Sequence, residues 1–246
     1  MKRVRTVYRL TSPKITQRIR FAVASDLHSG SYEDLTADFA ACDAVLIPGD
    51  LVDRHSRNNE RAYRFLEEMP KRFPVFYSLG NHERKFQDSE QWMASVARSE
   101  IILLDNDSRL FRGIQIGGLS SVPHTESPDT GFLDRYEKEK EYKLLLCHQP
   151  EVYRDTVRGR NIDCTLCGHA HGGQIQIFGR GLYSPGQGLL PKLTHGIHDG
   201  GKMIISRGLT NNTNPRIPRF NNPCELVLLE MVPGKETTCE TEETTK

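Results

Sequence analysis

Short apolar runs alternate with amphipathic stretches along this chain, a pattern that predicts strands and helices in turn. Residues 44–48 hold four apolar side chains and a proline, typical of a strand that is buried on both faces. Residues 57–69 place apolar side chains at helical spacing from Ala62 to Met69, and Pro70 ends this helix. The alternation predicts βαβ units in the first half of the chain.

The same two periodicities predict the other elements. Strands are expected at 4–10, 19–24, 75–79, 101–104, 144–147, 162–166, 203–206 and 226–229, helices at 32–41, 89–98 and 151–157, and a hairpin at 109–118. Residues 119–133 are rich in Ser, Pro and Thr, which predicts a loop, and residues 172–223 are rich in Gly, Pro and Asn, which predicts strands joined by long loops that line the site. The first half is mostly βα and the second mostly β. We therefore expect an α/β (α+β) fold with two packed mixed sheets and helices outside.

Composition limits the class of protein and its partners. We expect a single domain over residues 1–232, followed by a disordered Glu/Thr-rich tail at 233–246. The 33 lysines and arginines nearly balance the 32 acids, so no nucleic-acid partner is expected. No apolar run exceeds four residues, which argues against a transmembrane segment or a signal peptide and predicts a cytoplasmic protein.

The chain has six cysteines, and Cys164 and Cys167 form a C-x-x-C pattern. A zinc or redox site is one interpretation. The two residues lie in a predicted strand, however, where positions i and i+3 point to opposite faces. Two buried small hydrophobic residues are therefore the favoured interpretation.

Five predicted strands end in residues that can bind a metal ion. These are Asp26 with His28, Asp50, Asn81, His148, and His169 with His171. Gly49, Gly80 and Gly168 each precede a candidate ligand and allow a sharp turn there. Carboxylate, amide and imidazole ligands suit Zn²⁺, Mn²⁺ or Fe. Seven candidate ligands exceed the need of one ion and suit two ions about 3.5–4 Å apart that share a carboxylate.

In order, these segments read Asp26-x-His28, Gly49-Asp50-x-x-Asp53, Gly80-Asn81-His82-Glu83, His148 and Gly168-His169-x-His171. The series resembles that of the calcineurin-like metallophosphoesterases. Residues 171–174, 206–209 and 215–223 are similar to the bacterial branch with phosphodiesterases of the YkuE and YaeI type. The resemblance implies a four-layer α/β/β/α sandwich with metals at one end of the two sheets.

The resemblance also implies roles for individual residues. One ion would be held by Asp26, His28, Asp50 and His171, and the other by Asp50, Asn81, His148 and His169. The cofactors would be two divalent ions, Mn²⁺ being favoured over Fe, Zn²⁺ or Mg²⁺. A hydroxide shared by the ions would attack phosphorus, and His82 would protonate the leaving oxygen as the general acid.

Further residues have two interpretations each. Asp53 either orients His82 or a ligand, or caps a turn. Gln174 either reaches the phosphate or a leaving group, or has no contact with the substrate. One of Arg207, Arg216 and Arg219 is expected in the substrate pocket. Glu83 is expected to form a salt bridge at a helix entry. His124, His195 and His198 match no ligand segment, which favours exposed loop positions.

The leading hypothesis is a metal-dependent phosphodiesterase or pyrophosphatase that acts on a small phosphorylated substrate, nucleotide-linked or a lipid head group. A phosphomonoesterase or a nuclease of the same fold is the alternative, and a non-catalytic metal-binding module is a third reading. All seven ligands and His82 are present, which counts against the third. Peripheral membrane contact is left open, and acyl-chain recognition would fall to residues 119–135 or 179–200.

Overall fold

Two mixed β-sheets form the centre of the structure. The computed structural model describes residues 3–122, 126–211 and 218–244, with the backbone alone for residues 242–244. In chain order the strands are β1 (Arg3–Ser12), β2 (Ile19–Val23), β3 (Ala44–Pro48), β4 (Val75–Ser78), β5 (Ile102–Leu103), β6 (Asp107–Phe111), β7 (Ile114–Leu119), β8 (Tyr142–Cys147), β9 (Cys164–Cys167), β10 (Gln176–Ile177), β11 (Arg180–Gly181), β12 (Tyr183–Ser184), β13 (Gly188–Leu189), β14 (Gly196–His198), β15 (Met203–Ile205), β16 (Cys224–Pro233) and β17 (Thr238–Thr244).

The larger sheet has seven strands in the order β17-β1-β16-β2-β3-β4-β5, and the second has six in the order β14-β15-β9-β8-β7-β6. Strands β2 to β5 run parallel to one another, as do β7, β8, β9 and β15. Two short hairpins, β10-β11 and β12-β13, lie outside both sheets.

The helices connect the parallel strands. They are α1 (Thr36–Ala40), α2 (Glu60–Glu68), α3 (Asn81–Arg84), α4 (Ser89–Arg98), α5 (Thr130–Tyr136) and α6 (Pro150–Val152), which continues into a π-helical turn at Tyr153–Val157. Short 3₁₀ turns occupy Glu33–Leu35, His171–Gly173 and Asp199–Gly201. Within the described residues, none of these helices combines the length and apolarity needed to cross a bilayer.

Apolar side chains form three separate layers, because successive residues of a strand point to opposite faces. In β3, Val45 and Ile47 pack with residues of α1, α2 and α4. The intervening Leu46 belongs instead to the cluster between the sheets, with Leu144 and Leu166. A third cluster joins Leu145 of β8 to α5 on the far side of the second sheet. The layers are helix, sheet, sheet and helix, which confirms the predicted sandwich.

The C-x-x-C pair follows the same alternation. Cys164 lies in the cluster between the sheets and Cys167 in the outer cluster beside α5, and both are free thiols. Burial raises the pKa of both thiols above the ordinary range, so they stay protonated. The two cysteines are packing residues, as the strand pattern predicts.

The expectation of a disordered tail at 233–246 is wrong for residues 238–244. Strand β17 pairs antiparallel with β1, with Tyr8 opposite Thr241, and Cys239 packs against the cluster between the sheets. Composition misled here, because pairing with an open sheet edge uses backbone groups and needs few apolar side chains. Threonine also favours strands.

The loop expected at 119–133 is also partly wrong. Helix α5 begins inside it, where the Asp129 carboxylate accepts the Phe132 N–H at 2.9 Å as an N-cap. Phe132, Leu133 and Tyr136 then bury one face of the helix on the second sheet. The following charge run, 137–141, hid this apolar face from the sequence pattern.

Candidate metal centre

The ligand-bearing ends of β2, β3 and β4 in the larger sheet meet those of β8 and β9 in the second. Three groups of side chains have ligand atoms within 4.8 Å of one another: Asp26 with His28 and His171, His28 with Asp50 and His82, and Asp50 with His148 and His169. All of these side chains are buried. The structure thus brings together residues from all five strand ends, in the manner of ligand sites at the carboxyl edge of α/β sheets.

Asp50 lies at the centre of this arrangement. Its Oδ2 is 3.0 Å from Nε2 of His148 and 3.9 Å from Nε2 of both His28 and His82. Its Oδ1 accepts the backbone N–H of His82 at 2.8 Å. One oxygen is therefore fixed by the backbone, while the other faces the histidines of two groups.

Asp26 anchors the other side of the cluster. Its Oδ1 is 3.6 Å from Nε2 of His171 and 3.9 Å from Nε2 of His28. The same carboxylate accepts the backbone N–H of His169 at 3.0 Å and the Ser25 hydroxyl at 2.5 Å. The first ligand loop and the last are thus joined directly.

The residues fit divalent cations. Asn81 Oδ1 is buried and lacks a hydrogen-bond partner among the described residues, a state that a cation would relieve. Nδ1 of His148 donates to the Pro48 carbonyl at 2.7 Å, which directs Nε2 toward Asp50. Imidazole, carboxylate and amide donors together suit Mn²⁺, Fe or Zn²⁺.

The cluster divides its histidines electrostatically. Burial, followed by a neighbouring imidazole, lowers the pKa of His28 and His169 to about 3, so both stay neutral and can donate a lone pair. Burial acts in the same direction on His148, but the Asp50 carboxylate outweighs it and raises the pKa of His148 to about 10. His148 and Asp50 therefore behave as one charged pair.

The ligand loops are held in backbone conformations that side chains seldom adopt. The φ angles are positive at Asp26 (54°), His28 (46°), Asp50 (57°), His169 (66°) and His171 (47°). A non-glycine residue in the left-handed region costs roughly 1 kcal/mol or more. Such strain persists only where surrounding contacts enforce it, so these loops are shaped to aim their side chains rather than to relax.

Two of the glycines that precede candidate ligands make room for carboxylates. A Cβ atom at Gly80 would collide with Asp50 Oδ1, and one at Gly168 would collide with Asp26 Oδ2 and Ser25 Oγ. At these two positions the backbone approaches an acidic side chain directly. Any larger residue would displace a candidate ligand.

Glu83 has a role that the sequence interpretation missed. Its buried carboxylate accepts four backbone N–H groups, from Gly80 (2.7 Å), Asp50 (3.0 Å), Leu51 (2.7 Å) and Val52 (3.2 Å). The expected salt bridge is replaced by a clamp on the Asp50 loop. A signal was present: Glu83 stands three residues after Gly80 at the start of α3, the spacing at which a glutamate reaches back to a helix N-terminus.

His82 lies beside the ligands with its Nε2 toward Asp50 and its Nδ1 toward two other groups. Nδ1 accepts the Arg54 N–H at 3.1 Å and lies 3.4 Å from Oδ1 of Asp53. Burial acts to lower the pKa of His82, but Asp50 and Asp53 outweigh it and raise that pKa. His55, which no sequence signal indicated, packs its ring edge-on at 5.4 Å from the His82 ring.

The predicted substrate residues divide into three cases. Gln174 is buried close behind His171, and its Oε1 lacks a hydrogen-bond partner within the described residues. Arg219 contacts the cluster: its Nη2 lies 3.1 Å from Nδ1 of His171 and donates to the Arg207 and Thr210 carbonyls at 2.6 and 3.0 Å. Arg207 thus contributes its carbonyl here. Arg216 and His124 lie outside the described residues.

The two other unassigned histidines lie apart from the three ligand groups. Nδ1 of His195 is 3.1 Å from Nε2 of Gln176 and 3.0 Å from the Thr194 hydroxyl. Nε2 of His198 donates to the His195 carbonyl at 3.0 Å. Both are half-buried on the loop side of the second sheet, so the expected exposure of these residues is only partly realised.

Comparison with known proteins agrees with this arrangement. The profile of the calcineurin-like phosphoesterases matches residues 19–173. An uncharacterized metallophosphoesterase of Helicobacter pylori (strain J99) is 28% identical over 244 residues, which cover 91% of this chain and 62% of that protein. One of Aquifex aeolicus is 26% identical over 241 residues, covering 88% and 86%.

The chain spans about three fifths of the length of the first curated relatives that it matches. A solved structure is similar with a TM-score of 0.53 over 93% of this chain and 100% of its own, at 12% identity. A likeness at that identity concerns the fold alone.

Proposed function

Because the chain belongs to the calcineurin-like phosphoesterase family, whose members are metal-dependent phosphoric ester hydrolases, we propose that it hydrolyses a phosphodiester or pyrophosphate bond at a paired metal centre. The observation that carries the proposal is the position of Asp50, whose Oδ2 faces histidines of two ligand groups. Asp50 is the carboxylate that two cations would share.

The chain offers one ligand set on each side of Asp50. The first comprises Asp26, His28, Asp50 and His171, and the second Asp50, Asn81, His148 and His169. When bound, two divalent cations supply charge neutralisation for the phosphate and lower the pKa of a water toward neutrality. We favour Mn²⁺, and the imidazole-rich donor set supports a transition metal over Mg²⁺.

We propose His82 as the residue that moves a proton. Its Nε2 faces the ligand cluster, where the leaving oxygen of a bound ester would lie. When Nδ1 is protonated, as in the imidazolium and in the neutral ring left after Nε2 gives up its proton, the Asp53 carboxylate can accept Nδ1–H; when Nδ1 is unprotonated, it accepts the Arg54 N–H. Asp53 thus acts on the reaction through the orientation of His82.

We assign the substrate-binding cation to Arg219 ahead of Arg207. The guanidinium of Arg219 is fixed against His171 by two carbonyls, and its Nη1 is buried with no hydrogen-bond partner among the described residues. A phosphate oxygen would satisfy that nitrogen. Gln174 Oε1 offers a second unpaired group on the same side of His171.

The test uses purified protein loaded with Mn²⁺ and two chromogenic esters, bis-p-nitrophenyl phosphate and p-nitrophenyl phosphate. We expect preferential hydrolysis of the diester. His82→Ala should retain its metal and lose about 10²–10⁴-fold in kcat. Asp50→Asn should bind less metal because it removes the shared charge. Preference for the monoester would instead identify a phosphomonoesterase.

His198→Ala is the matched control, since it removes a histidine outside the cluster and should leave both metal content and rate unchanged. Elemental analysis should give two ions per chain. A single ion per chain under excess metal would refute the paired centre. Hydrolysis of neither ester with any divalent metal would refute the enzyme.

A further inference from the structure

Exposed apolar side chains are concentrated in one part of the surface. Within the described residues, six large apolar side chains are exposed, and all but Leu110 fall between positions 177 and 220. These five, the apolar rim, are Ile177 (46% exposed), Phe178 (102%), Leu189 (81%), Leu190 (72%) and Phe220 (60%). Single exposed apolar residues are ordinary, but five carried by neighbouring loops indicate an interaction surface.

Backbone hydrogen bonds join the segments that carry the rim. The Gln176 N–H donates to the Phe220 carbonyl, the Leu182 N–H to the Ile175 carbonyl and the Leu190 N–H to the Leu182 carbonyl, each at 2.9 Å. Hairpin β10-β11 therefore lies between Phe220 on one side and Leu182 with Leu190 on the other. Phe178 occupies the tip of that hairpin, fully exposed.

This unit is anchored to the metal centre. The side chain of Asn222 donates to the carbonyls of His171 (2.6 Å) and Gln174 (3.1 Å), and the Phe220 N–H donates to the Gln174 carbonyl (3.1 Å). Any surface that the rim contacts is thereby held at a fixed position relative to His171.

The charge of the same segment is strongly one-sided. Between residues 164 and 224 the sequence has six lysines and arginines and a single acid, Asp199, whereas the whole chain is nearly balanced. Arg180 and Lys192 are exposed beside the rim: Arg180 pairs with Ile177 next to the turn of hairpin β10-β11, and Lys192 lies two residues after Leu190. Leu190 also lines a cavity of about 480 Å³ together with Lys192, Arg154 and Arg158, the last of which pairs with Asp199.

From these observations we infer that the apolar rim docks the protein on an anionic phospholipid bilayer. Phe178, Leu189 and Leu190 would enter the boundary between head groups and acyl chains, and Arg180 and Lys192 would contact anionic head groups. Interfacial binding combines buried apolar area with electrostatic attraction to anionic lipids, and the rim with its neighbouring cations offers both. Each cation near an anionic leaflet strengthens attachment about fivefold.

The apolar rim fits a protein partner less well than it fits a bilayer. Interfaces between proteins place large apolar groups in packed, complementary pockets. Here Phe178 protrudes from a hairpin tip, and Leu189, Leu190 and Phe220 are exposed at strand ends and loops, where a fluid layer can surround them. The inference does not depend on the proposed hydrolysis, because it concerns attachment alone.

Vesicle flotation tests the inference on the full chain. Wild-type protein is expected to float with vesicles of phosphatidylcholine containing about 30% phosphatidylglycerol and to bind far less to pure phosphatidylcholine. The triple variant Phe178→Ser/Leu189→Ser/Leu190→Ser should lose binding by about tenfold or more. Arg180→Glu/Lys192→Glu should lose it by a similar factor and remove most of its dependence on salt.

Two control variants separate docking from general effects. Leu110→Ser removes an exposed apolar residue on β6, and Lys71→Glu/Arg98→Glu reverses two exposed charges near α2 and α4; both should bind like wild type. Circular dichroism melting and hydrolysis of the soluble diester should be unchanged in the triple variant.

Three results would overturn the inference. The first is no flotation of the wild type with anionic vesicles at about 0.1 M salt. The second is equal binding by the triple variant. The third is a concentration-dependent dimer in sedimentation velocity that the triple variant abolishes, which would assign the rim to a second copy of this chain.

Discussion

The clamp formed by Glu83 gives the sharpest test of how the centre is built. Glu83→Gln keeps the shape of the side chain and replaces one carboxylate oxygen by an NH₂ group. Each oxygen accepts two backbone N–H groups, Oε2 from Gly80 and Asp50 and Oε1 from Leu51 and Val52. Whichever way the amide turns, two buried N–H donors face another donor.

The expected loss follows from those two donors. An unsatisfied buried N–H costs about 1–3 kcal/mol, so the free energy of unfolding should fall by roughly 2–6 kcal/mol. Small domains have only about 5–15 kcal/mol in total. The Asp50 loop should also loosen, and loss of such a supporting contact lowers metal affinity about 10–100-fold.

Urea unfolding and calorimetric titration with Mn²⁺ measure the two effects. The matched control is Glu90→Gln, which makes the same chemical change at an exposed position of α4 and should leave both quantities unchanged. If Glu83→Gln unfolds at the urea concentration of Glu90→Gln and binds Mn²⁺ within twofold of wild type, the clamp does not hold the Asp50 loop.

Three further predictions use the same preparations. Gly168→Ala, whose Cβ meets the Asp26 carboxylate, should lower both metal content and melting temperature. Its control, Gly131→Ala in α5, should leave metal content unchanged. Equal metal content in the two variants would contradict the close approach of the Gly168 backbone to Asp26. With chelator present, the melting temperature should fall as pH rises from about 6.5 toward 10, because the folded protein progressively loses the stabilising proton on His148, whose pKa is raised to about 10. It should also fall below about pH 6.5, because His28 and His169 take up protons only on unfolding. A stability that increases steadily from neutral to alkaline pH would contradict the His148 assignment. Truncation after Pro233 should speed hydrogen exchange of the β1 amides and promote aggregation, since it removes β17 from the sheet edge; unchanged exchange at β1 would show that β17 does not protect it.

The sequence predicted what depends on short-range patterns. The apolar run before Asp50 and the glycines at the ligand turns identify strands that end in ligands, and each such strand lies close to its expected position. The meeting of five strand ends follows because parallel strands share an edge. The face taken by each cysteine also follows from the two-residue period of a strand.

Features that depend on distant backbone groups were not predictable in this way. Three of the four N–H partners of Glu83, those of Asp50, Leu51 and Val52, lie about thirty residues earlier in the chain, and no spacing rule connects them to Glu83. Arg219 was indistinguishable from its neighbouring arginines, because its contact with His171 requires the loop geometry. The tail was misjudged because only the folded sheet leaves an edge of β1 unpaired, and β17 covers that edge.

The division of the ligands between two sheets has a consequence for biosynthesis. Asp26, His28, Asp50 and Asn81 come from the larger sheet, whereas His148, His169 and His171 belong to the second. The contact between His28 and His171 joins residues 143 positions apart. A nascent chain presents its first four ligands on the order of ten seconds before the last three are translated. In the proposed paired centre, tight cation capture would therefore wait until the second sheet has been synthesised and has packed against the first, which would make metal loading a late step of maturation.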